Sequence, residues 1–157
     1  MKAHELIAEL RLQPHPEGGW YREVYRSAQR VVYERAPRCA LTAIYYLLER
    51  HQISRWHVVD ADEAWHFYAG APLELFAYDS GSRLLQRKVL SLPGAGGESV
   101  CVIGAGQWQA ARCLGDFALV GCTVGPGFEY SGFRLIASMP DCAGHFVGPI
   151  EPLRQLL

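Results

Sequence analysis

The chain has 157 residues, half of them hydrophobic and a fifth charged, with a formal net charge of −1. This length favours one domain with a substantial core, and this composition excludes a disordered chain. The near-neutral balance leaves no electrostatic footprint for nucleic acid or an anionic membrane, and no apolar run approaches the roughly 20 residues that span a bilayer.

No uninterrupted apolar stretch follows Met1-Lys2-Ala3-His4-Glu5, so no signal peptide is expected, and the cytoplasm is the expected compartment. Leu6, Ile7 and Leu10 share one side of residues 3–12, which predicts a short amphipathic helix. Pro14 and Pro16 then stop it, and Glu17-Gly18-Gly19 reads as a turn. Trp20–Arg26 is rich in aromatic and β-branched residues and reads as a strand. Further strands are expected at Ala40–Leu48, Ser54–Val59, Ala64–Tyr68, Leu73–Tyr78, Leu84–Leu90, Ser99–Ile103, Gln107–Ala111, Phe117–Thr123 and Phe133–Ile136. Turn clusters such as Gly70-Ala71-Pro72 and Gly104–Gly106 separate them. Many short, evenly spaced strands with little helical pattern predict an all-β sandwich or barrel over residues 20–137. The tail, 138–157, is expected to wrap the outside. Five cysteines (Cys39, Cys101, Cys113, Cys122, Cys142) lack C-x-x-C spacing and read as reduced, mostly buried thiols.

Two segments carry residues suited to chemistry. In Ser54–Gly70, one strand ends in His57, an acidic turn follows, and a second strand begins at Glu63. A hairpin brings such side chains to one face, where they suit metal ligation or a general base with its orienting partner. Alternation puts Glu63, Trp65 and Phe67 on one face and His66 and Tyr68 on the other, so His66 points outward unless a bulge re-aims it. In Gly104–Arg112, a tight turn feeds a strand with Gln107 and Gln109 on one face and Trp108 opposite. Tyr21 and Glu23 likewise share a face of their strand.

These segments resemble the paired motifs of the cupin superfamily. His57, Glu63 and Gly70 match the first motif, with Val59 where a second histidine stands. Gly104-Ala105-Gly106-Gln107-Trp108-Gln109 matches the shape of the second, with Gln109 in place of its histidine. His15-Pro16-Glu17-Gly18-Gly19-Trp20-Tyr21-Arg22-Glu23, Asp62–Gly70, Gly106–Ala111 and Gly121–Phe128 resemble the cupin-5 (DUF985) family in its order along the chain. Gly19-Trp20-Tyr21-Arg22-Glu23 is also similar to an early strand of the dTDP-4-dehydrorhamnose 3,5-epimerases, which are metal-independent cupins.

The resemblance implies a jelly-roll β-barrel, a homodimer and a small-molecule pocket, without a settled activity. One expectation is an isomerase or epimerase of a carbohydrate or nucleotide-sugar. In it His57 is the base, Glu63 fixes its tautomer, and Tyr130 or Tyr21 serves as acid. The expected ligand contacts are Tyr21, Glu23, His66, Gln109, Trp108 and Tyr130. Another expectation is a barrel that binds ligand without catalysis. A third is a metal-dependent cupin such as a dioxygenase, with a divalent metal on His57, Glu63 and Gln109. That set is poor for a soft transition metal, so no cofactor is favoured.

Overall fold

The computed structural model describes residues 2–139 and Leu156. The helix α1 spans Ala3–Glu9, shorter than the periodicity predicts, and Arg11 just beyond it has φ 53°. Its Leu6 packs with Leu12 against Leu47 and Leu119. Thirteen strands follow: β1 (Gln13–Pro14), β2 (Trp20–Arg26), β3 (Arg30–Tyr33), β4 (Ala36–Cys39), β5 (Thr42–Glu49), β6 (Ile53–Val59), β7 (Asp62–Gly70), β8 (Leu73–Asp79), β9 (Leu84–Leu90), β10 (Val100–Ile103), β11 (Trp108–Cys113), β12 (Phe117–Gly125) and β13 (Phe133–Leu135).

One sheet has the order β1-β2-β5-β12-β7-β10, and the second has the order β13-β6-β11-β8-β9. Neighbours within each are antiparallel. From β5 onward the chain passes between the two sheets, and this back-and-forth winding is the jelly roll. The sheets remain two facing layers and do not close into one hydrogen-bonded barrel. Leu48, Phe67, Leu75, Leu90 and Val120 fill the space between them. All of Leu73–Tyr78 in β8 is buried because that strand is covered on both faces. Leu75 and Ala77 face the interior, while Phe76 and Tyr78 join Trp56, Trp108, Ile136 and Leu156 on the far side.

The hairpin β3–β4 was not legible in the sequence. Its two-residue turn, Glu34-Arg35, has φ 48° and 69°, a turn that ordinarily calls for Asn-Gly. Pro37 in β4 is tolerated because this pair stands apart from both sheets. Gln13-Pro14, read as a helix stop, also pairs with β2. The four described cysteines are free thiols, whereas Cys142 and most of the 138–157 tail lie outside the described residues. No helix among the described residues is long and apolar enough to cross a membrane.

Candidate functional site

A cavity of about 130 Å³ opens between the sheets at the end where polar side chains replace the core. His57 reaches it through an irregularity in β6. Gln109 of β11 lies opposite His57, but Ala111 lies opposite Ser54, so β6 spends one extra residue. Alternation would send positions 54 and 57 to opposite faces. The bulge turns both inward and leaves Arg55 and Trp56 facing out.

Between Ser54 and His57 sits a residue that sequence reasoning took only for part of a turn. Glu17 Oε2 is 3.2 Å from His57 Nε2, Glu17 Oε1 accepts from Ser54 Oγ at 3.0 Å, and His15 Nδ1 is 3.7 Å from Oε2. Glu17 is 6% exposed and His57 2%. Their positions follow from the glycines after Glu17. Gly18 and Gly19 have φ 113° and 73°, and a Cβ on Gly18 would stand 2.0 Å from the Ile53 carbonyl oxygen. Only glycine lets this turn lie flat on the start of β6. Arg55 secures it from outside. Its backbone N–H donates to the Glu17 carbonyl at 3.0 Å, and its guanidinium donates to the Pro16 carbonyl at 2.7 Å.

The imidazole is oriented by the backbone. The 2.7 Å contact between His57 Nδ1 and the Arg55 carbonyl requires Nδ1 to carry the proton, which corrects the expectation that Glu63 fixes the tautomer. The contact at Nε2 then needs exactly one further proton, held by the ring or by Glu17. Burial pushes the His57 pKa down and the Glu17 pKa up. Both directions draw the shared proton toward the Glu17 carboxyl and away from the imidazole.

Glu63 enters from β7, facing inward with Ile103 and Val124 alongside it. Its Oε2 accepts from the Gln109 amide, whose Oε1 in turn accepts from Trp65 Nε1 at 3.0 Å. Burial raises the Glu63 pKa, against a smaller opposing pull from His57. Gln109 therefore bridges the sheets and backs Glu63. Tyr21, Glu23 and Tyr130 also line the cavity, and the Tyr21 and Tyr130 hydroxyls meet at 3.2 Å. Burial and this contact push Tyr130 up to about 12.

Three expected ligand contacts do not line the cavity: Gln109 sits behind Glu63, and His66 and Trp108 lie elsewhere. His66 lies between Val100 and Gly121 on the outer face of its sheet, as alternation requires. Trp108 is buried with Val58 and Tyr78 on the outer side of the other sheet. The residues at the usual cupin ligand positions do not fit a metal. Val59 offers no donor atom, and both ends of the Gln109 amide are engaged. Among the described residues, no three His, Cys, Asp or Glu side chains form a cluster that would hold an ion.

With this geometry in place, the comparisons with known proteins are informative. A search of functionally curated proteins finds no match. Among solved structures, a Shewanella oneidensis protein is 33% identical with a TM-score of 0.81, over 91% of this chain and 89% of that one. A hypothetical protein from Leishmania major is 29% identical with a TM-score of 0.79, over 92% and 96%. Oxalate decarboxylase from Bacillus subtilis shares the fold at 15% identity and a TM-score of 0.61, over 92% of this chain and 36% of that one. The family model described as Cupin superfamily (DUF985) matches residues 4–136. The chain belongs to this family, Cupin_5 of the cupin superfamily.

Proposed function

We propose that the cavity catalyses proton transfer on a small carbohydrate-like carbonyl compound, as an isomerase or epimerase. The observation that carries this reading is the contact between Glu17 and His57. The two groups meet at 3.2 Å, and burial pushes their pKa values in opposite directions, the arrangement in which one can serve as acid and the other as base. His57 Nε2 takes the proton from the carbon next to a substrate carbonyl. Glu17 gives its proton to the carbonyl oxygen as the electron pair moves into the new carbon–carbon double bond. Return of the His57 proton to the former carbonyl carbon, as the hydroxyl on the adjacent carbon gives its proton to Glu17, completes an isomerisation. Protonation of the original carbon on its opposite face, as the enol hydroxyl returns its proton to Glu17, completes an epimerisation. The Tyr21–Tyr130 hydroxyl pair is then the donor at the mouth, and His57 passes its proton through solvent to restore it.

Size limits what is enclosed. At about 30 Å³ for each water, the cavity of about 130 Å³ holds roughly four water-sized groups, so the reacting end of one sugar unit enters it and an attached nucleotide would lie outside. The experiment is solvent deuterium incorporation into keto-sugars, aldoses and nucleotide-linked keto-sugars. We expect incorporation that disappears in Glu17→Gln and His57→Gln. No incorporation across the panel, with ligand binding intact, would leave the cavity as a non-catalytic binding site.

The resemblance also implies a homodimer, and we propose the outer face of the six-stranded sheet as its contact. Tyr25, Tyr68, Val100 and Val102 are exposed there, and Arg22 lies over the Tyr45 ring beside them. Tyr68→Lys with Val100→Lys should convert a dimer to a monomer in light scattering. A wild-type chain that already runs as a monomer removes this reading.

A further inference from the structure

The cavity's charges say what kind of ligand it takes. Arg26 is the one lysine or arginine among the described residues that line it, and it is committed. Glu23 holds it with two hydrogen bonds of 3.0 and 2.8 Å, and the Phe128 carbonyl accepts from both terminal nitrogens at 3.2 Å. Glu129 approaches at 3.5 Å. The two lining histidines offer no positive charge either, because burial lowers the pKa of His15 as it does that of His57. Arg55 acts on Glu17 from a distance, with its guanidinium tied to the Pro16 and Glu17 carbonyls. Against this, Glu17 and Glu63 present two carboxyl groups at 6% and 7% exposure.

We infer that the cavity selects a ligand that donates hydrogen bonds and is uncharged or cationic, and that it turns away carboxylates and phosphates. An anion entering here gives up its hydration, meets no free counter-charge and faces carboxyl oxygens. A sugar hydroxyl or amine instead supplies protons to those oxygens, whose partners among the described residues include the Gln109 amide, the Cys122 thiol, Ser54 and Tyr46. The ring faces of Phe128 and Phe133 cover the apolar side of such a molecule.

This inference rests on the cavity being the ligand site of the proposed function, but it does not need turnover. Its test is binding, read from the imidazole NMR signals of His15 and His57 during titration at neutral pH. The probes are methyl glucoside, glucosamine and glucuronate, matched in size and different in charge. We expect the first two to shift the signals at concentrations at least about tenfold below glucuronate, a gap of about 1.4 kcal/mol. Glu63→Gln, which keeps the shape and replaces an acceptor oxygen with an amide donor, should narrow that gap. Glucuronate binding as tightly as the glucoside overturns the inference, and so does silence from all three probes. Binding in the expected order without deuterium exchange would defeat the isomerase reading alone.

Discussion

Glu74 and Glu17 are both carboxyl groups closed off from water, and the protein treats them in opposite ways. Glu74, at 2% exposure near the start of β8, is clamped by Arg87 on one oxygen and Arg112 on the other. Those arginines keep much of their own side chains in solvent, at 61% and 36% exposure. The charge is neutralised on the spot and the group is finished as a structural tie. Glu17 has no such cation in contact. It meets an imidazole, a hydroxyl and a cavity, and burial pushes its pKa up, toward keeping a proton. Compensation by a fixed cation locks a carboxyl, while compensation by a proton leaves it able to react.

The strongest way to break this contrast is to strip Glu74 of its cations. Arg87→Ala with Arg112→Ala should cost about 3 kcal/mol in urea unfolding, because it strands a buried carboxylate. Adding Glu74→Leu should recover most of that loss. Next in size is the chemistry. Glu17→Gln should lower deuterium exchange at least about 100-fold while changing stability by less than about 1 kcal/mol, since the amide mimics a protonated carboxyl.

The pH dependence sharpens the same difference. The raised Glu17 pKa means the folded chain keeps a proton that the unfolded chain releases above its ordinary 4.5. Its contribution is complete below that value and is lost as pH rises through the folded pKa. His57 has the opposite sign, since its folded pKa lies below 6.5 and its contribution is lost as pH falls. Denaturation from pH 5 to pH 8 should therefore show Glu17→Gln gaining steadily on the wild type. The smallest effect is expected from Tyr130→Phe. Its hydroxyl is at the exposed rim, so exchange should fall by no more than about tenfold with stability unchanged.

What the sequence disclosed follows from alternation. Period two was enough to turn Glu63 and Gln109 inward and His66 and Trp108 outward, and the last two lie where that pattern puts them. Including them among the ligand contacts went against the pattern itself. Glu17 was hidden because no periodicity governs a turn, and 40 residues separate it from His57. The signal available was its place directly before two glycines, a pair that permits a close backbone approach. The bulge in β6 was equally silent, because Ser54–Val59 reads as an ordinary strand. The β3–β4 turn lacked the residues that announce such turns.

Arg55 gives the site a property that no lining residue supplies. Its amide and guanidinium fix the backbone on either side of Glu17, while its carbonyl fixes the ring of His57. Glu17 and His57 are thus gauged from a single surface residue, and their spacing is a local dimension set within one turn and one strand. A substitution there would remove the guanidinium ties to the Pro16 and Glu17 carbonyls while keeping the carbonyl that orients His57, so it would loosen Glu17 alone.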